Sequence, residues 1–381
     1  MQDVYITDLA VFLPNAPVEN DAIEGVLGMV GGRPSRARRV ILGRNGITTR
    51  HYAIDAVHGT FTHNNSEMAA HAVRLALERA HTSVASIDCL ACGTSSPDQF
   101  KPGHAHMVHG ALAAPPCEVA SLAGVCTAGA TALKYAYFTV ATGSARLAVS
   151  TGSEFASSFM RAEQFGPEPG VASEAQHHPL VGFEKDFLRW MLSDGAGAAV
   201  LQSRPNEDRL SLRIDWIDCL SYAGELPVCM YSGADLEADG RLRGWREVSP
   251  QEAVRKGFFT VKQDARRLDQ YIVDVSVTRA LQTIIARHGL RSTDIDWFLP
   301  HYSSEYFRAP LHEALTNIGF PLTMDRWFSN MAYRGNIGSA MMYSLMEELL
   351  YSGRIRRGDR LLCMIPESAR FAVCYVHLTA V

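Results

Sequence analysis

The chain has 381 residues, 47% hydrophobic and 20% charged, which suits two fused domains of ordinary size with a large buried core. A formal net charge of −4 gives no electrostatic case for nucleic acid. No apolar run reaches the roughly 18 residues that span a bilayer, and the chain opens on the strand-like Val4-Tyr5-Ile6 rather than a signal peptide, so a soluble, cytoplasmic protein is expected.

In chain order, an amphipathic helix over Ala69 to Ala80 is followed by a buried strand in Ile87-Asp88-Cys89-Leu90-Ala91-Cys92-Gly93-Thr94-Ser95-Ser96. Cys89 and Cys92 have CxxC spacing, but no second Cys or His pair completes a zinc site. Alternation on a strand also points the two thiols to opposite faces, so no metal is expected. Glu118 to Leu122 reads as a short strand and Leu133 to Thr142 as a helix. Between them, in Gly124-Val125-Cys126-Thr127-Ala128-Gly129-Ala130, small residues allow close backbone approach. A Cys in an apolar stretch is more often a packing residue. At a strand-to-helix junction, however, it faces the helix's free amides, where thiolates have pKa values of roughly 3.5 to 7.5. The other seven cysteines, at 89, 92, 117, 219, 229, 363 and 374, read as packing residues.

The segment from Phe155 to Trp190 carries Gly166, Pro167, Pro169, Gly170 and His177-His178 and reads as a lid or binding loop. Beyond it the chain repeats itself. A helix over Thr278 to Arg287 precedes Ile295-Asp296-Trp297-Phe298-Leu299-Pro300-His301-Tyr302-Ser303-Ser304, which aligns without gaps on Ile87 to Ser96 at an offset of 208 residues. Gly143 to Val149 likewise parallels Gly358 to Met364, each a turn entering an apolar strand. A duplicated α/β unit follows, its halves at 1–205 and 206–381. His301 then falls at the carboxyl end of a strand, where open α/β sheets bind ligands. Asn336 sits in Tyr333-Arg334-Gly335-Asn336-Ile337-Gly338-Ser339-Ala340, before a helix over Met341 to Leu350; alone it is a cap or turn residue. With Cys126 and His301 it completes a site in which a thiolate is acylated and two side chains stabilise an enolate or oxyanion.

The order Cys126, His301, Asn336 in a duplicated chain resembles the thiolase superfamily, and within it the β-ketoacyl-acyl-carrier-protein synthase III family. Arg44-Asn45-Gly46-Ile47-Thr48-Thr49-Arg50 is similar to that family's RTGI-x-x-R, Thr94-Ser95-Ser96-Pro97-Asp98 to its TS-x-PD, and Ser193-Asp194-Gly195-Ala196-Gly197-Ala198-Ala199 to its GDGAGA turn. Gly335-Asn336, Gly353 and Arg357-Gly358-Asp359 follow its GN-x-x-SA and G-x-x-x-x-GD series. The resemblance covers nearly the whole chain and implies a five-layered αβαβα fold. It gives Cys126 the acyl group as a thioester, with its backbone amide as half of an oxyanion hole, and gives His301 and Asn336 the second thioester's carbonyl and carbanion. It also implies an acyl carrier protein or acyl-coenzyme A as acyl source, no bound cofactor, and a homodimer in which Phe100 reaches the partner subunit's pocket.

Departures from the family narrow the expectation. Its closing GFGGG loop is replaced by Ile365-Pro366-Glu367-Ser368-Ala369-Arg370-Phe371, where Ser368 can lend a backbone amide and Glu367 reads as paired with Arg370 or as a pocket acid. The Trp that stacks on adenine in the family is Val40 here, which favours the carrier protein over coenzyme A. Arg36, Arg38, Arg39 and Arg44 are candidates for a phosphopantetheine phosphate, or solvated surface. Glu154, after Gly152-Ser153, is a candidate acid or base, or a hydrogen-bonding scaffold residue. These departures resemble the relatives that join two longer acyl units, including ketosynthase-cyclases of dialkylresorcinol and stilbene pathways. An acyltransferase to a hydroxyl or amine, a synthase that initiates fatty acid synthesis, and a non-catalytic partner subunit remain as alternatives.

Overall fold

The computed structural model describes residues 1–165 and 187–381. The His177-His178 portion of the long segment lies outside them.

The main strands are β1 (Tyr5–Phe12), β2 (Cys89–Thr94), β3 (Glu118–Ala123), β4 (Leu147–Glu154), β5 (Gly195–Gln202), β6 (Leu212–Ser221), β7 (Trp297–Pro300), β8 (Arg360–Glu367) and β9 (Ala372–Ala380). The helices that cover them are α1 (Asn65–Arg79), α2 (His104–Leu112), α3 (Ala128–Ala141), α4 (Ala265–Val273), α5 (Gln282–His288), α6 (Arg308–Asn317) and α7 (Met341–Tyr351). The strands hydrogen-bond in the order β3-β2-β4-β5-β1-β6-β9-β8-β7. The two halves mirror one another: β2 runs parallel to β4 as β7 does to β8, and β5 runs antiparallel to β4 as β9 does to β8. The counterpart of β3 has shrunk to one bridge between Phe298 and Trp327. The half-sheets join where Tyr5 and Ile6 of β1 pair with Arg213 and Leu212 of β6.

Layering follows from burial. Every residue of β2 and β4 is buried, as expected of strands covered on both faces. α1 and α2 cover the outer face of the first half-sheet, and α3 and α7 lie between the half-sheets. A π-helix (Asp274–Leu281) continuing from α4, with α5 and α6 against it, covers the outer face of the second. The result is a five-layered αβαβα stack. Cys89 belongs to the core on one face of β2 and Cys92 to the core on the other, as strand alternation requires.

The central layer is held by glycines. A Cβ on Gly93 would lie 2.2 Å from the Ala128 carbonyl oxygen, and Cβ atoms on Gly129 and Gly152 would lie 2.1 and 2.2 Å from that of Ser339. α3 and the start of α7 therefore touch the sheet and each other backbone to backbone, which fixes how far Cys126 can be from Asn336.

α3 begins at Ala128, five residues before the helix read from the sequence, because the small residues 128–132 pack into this layer instead of forming a loop. Two cysteine readings are corrected. Cys219 and Cys374 face one another across β6 and β9 and are joined by a disulfide, since direct cross-strand pairing brings their Cα atoms to 4.1 Å; they are not free packing residues. Glu367 does not pair with Arg370, whose guanidinium instead donates to the Ala223 carbonyl at 3.3 Å.

Candidate active site

Cys126, His301 and Asn336 line one cavity of about 350 Å³, although 210 residues of chain separate the first from the last. Cys126 is half-buried in the turn between β3 and α3. His301 follows β7 directly, its amide donating to the Met364 carbonyl at 2.8 Å, so the register of β7 on β8 sets the imidazole. Asn336 follows Gly335, whose φ of +74° turns the chain, and its backbone is tied to 191–193 by bonds of 3.1 and 2.8 Å.

Asn336 Oδ1 accepts from the Gly338 amide at 3.0 Å, and His301 Nε2 lies 3.2 Å from the same oxygen. With that oxygen accepting, Nε2 carries the hydrogen. The Asn336 side-chain NH2 then has no acceptor among the described residues. Burial pushes the His301 imidazole down to about 4, against the smaller opposing effect of its bond to Asn336. The pair is therefore a neutral donor set at physiological pH.

The thiol departs from the expected low pKa. Burial, then the carboxylates of Glu367 and Glu154, push Cys126 well above the ordinary thiol range. Two of the amides at the helix start, which would favour a thiolate, are taken. Glu367, at the end of β8, accepts from the amides of Val125 and Thr127 at 3.0 and 3.2 Å and from the Thr127 hydroxyl at 2.5 Å.

Glu154 lies on the other side. It accepts from the hydroxyls of Ser95 and Ser96 at 2.6 and 2.9 Å and from the Ser339 amide at 3.2 Å, and burial raises its pKa. A Cβ on Gly338 would meet its Cγ at 2.6 Å, so the residue that orients Asn336 must be small because Glu154 is there.

The remaining candidates divide. Ser368 lines the cavity, its hydroxyl accepting from Gln263 at 3.0 Å. Phe100 is exposed and stacks on Trp245 of the same chain at 5.4 Å, outside the cavity wall. Arg38, Arg39 and Arg44 do not line the cavity; Arg38 is held by Asp21 and Glu24, and Arg39 and Arg44 are exposed. Arg50 and Asn45, in the RTGI-x-x-R-like stretch, donate to the Trp190 carbonyl at 2.6 and 2.7 Å. Asp194, pushed up to about 6 by burial, accepts from the amides of Ala53 and Ser157 at 2.7 and 2.8 Å. These motif residues pin the chain on either side of the cavity wall at Leu188, Met191 and Leu192.

Sequence reasoning missed that wall. Besides those three residues it includes Leu268 and Ile272 of α4, Ser276 of the π-helix, and Phe307 and Leu311. Leu268 and Ile272 are four apart on one helix face, which marks them as buried, but periodicity does not separate a cavity wall from a solid core. Among the described residues no group of His, Cys, Asp and Glu could hold a metal ion, and no helix is long and apolar enough to cross a membrane.

Residues 285–364 match the family model described as 3-oxoacyl-[acyl-carrier-protein] synthase III, C terminal. The chain is 24% identical over 324 residues to a β-ketoacyl-[acyl-carrier-protein] synthase III of Rhodospirillum centenum, covering 84% of each. Among solved structures, the tetronic acid condensing enzyme AbyA1 is 21% identical with a TM-score of 0.74, and 99% of each chain is covered. Xanthomonas campestris OleA, solved as a cysteine-to-serine variant with bound lauric acid and lauroyl-CoA, is 19% identical with a TM-score of 0.75, again over 99% of each chain. These structures share the layered fold. The family model and the curated relatives agree with the resemblance carried by the motifs, to β-ketoacyl-acyl-carrier-protein synthase III, and the solved structures share its fold.

Proposed function

We propose that this protein is a condensing enzyme that loads an acyl group on Cys126 and joins it to a second acyl or β-ketoacyl thioester. In the first step Cys126 Sγ attacks the donor thioester carbonyl. The new carbon–sulfur bond forms, the bond to the carrier sulfur breaks, and the thiol proton leaves with the carrier thiol. In the second step His301 Nε2–H turns from Asn336 Oδ1 to the second thioester's carbonyl oxygen, and the Asn336 side-chain NH2 donates to the same oxygen. They stabilise the carbanion left when carbon dioxide or a proton departs. That carbanion attacks the acyl-Cys126 carbonyl, a carbon–carbon bond forms, the carbon–sulfur bond to Cys126 breaks, and the departing sulfur takes a proton from water. The reaction so written needs no metal or bound cofactor.

The single observation that carries this reading is the convergence of a thiol and a neutral His–Asn donor pair on one largely apolar cavity. Its walls of Leu, Ile, Met and Phe suit long acyl chains, the class to which the lauroyl group bound by OleA belongs. Val40, exposed where the family's adenine-stacking Trp stands, favours a carrier protein as acyl donor. Cyclisation to a cyclohexanedione is the further step we assign to the β-ketoacyl case. We place the enzyme in the cytoplasm as a homodimer. The outer edge of β3 is unpaired among the described residues, and Tyr135 and Phe138 of α3 are exposed beside it.

Intact-protein mass spectrometry with a panel of acyl and β-ketoacyl thioesters tests the reading. A mass gain of one acyl chain on the parent and none on Cys126→Ala is expected. No adduct with any thioester would sink it, and transfer of the acyl group to a hydroxyl or amine without a new carbon–carbon bond would convert it to an acyltransferase.

A further inference from the structure

We propose that Glu367 is the positioning residue of the nucleophile: it clamps the turn from behind and aims the Cys126 backbone amide at the reacting carbonyl. This rests on the reading of Cys126 as the acyl acceptor.

One carboxylate oxygen of Glu367, Oε2, takes three donors from the two residues that flank Cys126. The Cys126 amide between them faces its own sulfur and meets no carbonyl or carboxylate among the described residues. The helix start is thus divided. Amides 125 and 127 are held by Glu367, which does not line the cavity, and amide 126 is left beside the sulfur, where an oxyanion forms when a thioester is attacked. Pro366 and Ser368, the neighbours of Glu367, line the cavity, whereas Glu367 itself does not. The carboxylate therefore acts through the turn and not on substrate. No Lys, Arg or His pairs with it among the described residues. The glycines expected in this segment could not supply such a clamp, because they have no side chain to reach the turn.

Three groups face the thiol: Glu367 from β8, Glu154 from β4, and the neutral His301 after β7. The two carboxylates oppose thiolate formation, and His301 carries no positive charge to offset them. A neutral thiol and a neutral acyl thioester meet no such opposition, so the clamp suppresses stray thiolate chemistry and leaves the acylated state unpenalised.

Two reactions of the same sulfur separate the two roles. Alkylation by iodoacetamide needs a thiolate but no oxyanion donor, whereas acylation by a dodecanoyl thioester needs both. Both are followed on the Cys126 peptide by mass spectrometry between pH 6 and 10, below the thiol's midpoint, where a downward move of the midpoint reads as proportionally faster alkylation at every pH. In Glu367→Gln, which keeps an acceptor oxygen and loses the charge, the alkylation midpoint moves down by about half a unit or more. Burial, the larger cause, remains. Acylation in this variant stays within about threefold of the parent. In Glu367→Ala alkylation is as fast as or faster than in the parent, while acylation slows about tenfold or more, because the turn no longer aims the amide. An unmoved midpoint in Glu367→Gln overturns the charge role, even if Glu367→Ala does not fold. Alkylation and acylation falling together in Glu367→Ala overturn the aiming role. A parent that alkylates but is acylated by no thioester overturns the condensing reading instead, and the Glu367→Gln midpoint still decides the charge role.

Discussion

The two halves of this duplicated chain each bring one strand end to the cavity, and they keep their reactive groups neutral by different means. In the C-terminal half, His301 is neutral because it is buried, its one resolved polar contact being Asn336. In the N-terminal half, Cys126 is neutral because burial is reinforced by carboxylates on both sides. The two halves thus bring together a neutral donor pair and a thiol held in its protonated form. Burial, and for the thiol the carboxylates of residues far away in sequence, set these neutral states.

The sharpest way to break the comparison is to remove the donor side. His301→Ala should lower the rate of carbon–carbon bond formation by about 10² to 10³, while Cys126 still takes up one acyl group, read by single-turnover kinetics and intact mass. Equal loss of both steps would show that the halves are not divided as described.

The layer that joins the halves comes next. Gly152→Ala places a Cβ 2.2 Å from the Ser339 carbonyl oxygen, so it should cost about 1–3 kcal/mol in denaturant unfolding through overpacking. Any residual condensation should slow more than acylation, since Asn336 shifts with Ser339. An unchanged midpoint would mean the central layer is looser than its backbone contacts imply.

A third test uses pH. His301 and His104 are both pushed down to about 4 by burial, so the unfolded chain binds more protons than the native one between about 4 and 6.5. Their contribution to stability is present above about pH 6.5 and is lost as pH falls toward 4, by at most about 1.4 kcal/mol per pH unit for each imidazole. His301→Gln should flatten that acid limb in thermal melts, and a parent with no acid limb would contradict the buried neutral imidazole. The smallest effect concerns the cavity wall. Ile272→Phe should shift acylation toward shorter chains by several-fold in kcat/KM without altering the iodoacetamide reactivity of Cys126.

Much of the fold was legible because duplication leaves a mark in sequence. The alignment of Ile87–Ser96 on Ile295–Ser304 found β2 and β7, and with them the strand end that carries His301. The start of α3 was not legible, since the helix was read only from Leu133, and the small residues Ala128 to Ala132 join it by packing against β2 and β4. Nor was the disulfide, because Cys219 and Cys374 become neighbours only through the register of β6 on β9. Several motif residues that single out the family, Asn45, Arg50 and Asp194 among them, serve backbone carbonyls and amides and do not face the cavity. A motif marks where a chain must be held as readily as where it reacts.

The sequence by itself determined the residue types of the site, their order, and the repeated unit that sets them at strand ends, because these are local patterns of polarity, small residues and turns. Only the tertiary structure decided which charges surround the thiol. Hydrogen-bond geometry and burial, the forces that shift a pKa, act over a few ångströms in space, and Glu367 lies 241 residues from Cys126 along the chain and one hydrogen bond from its turn.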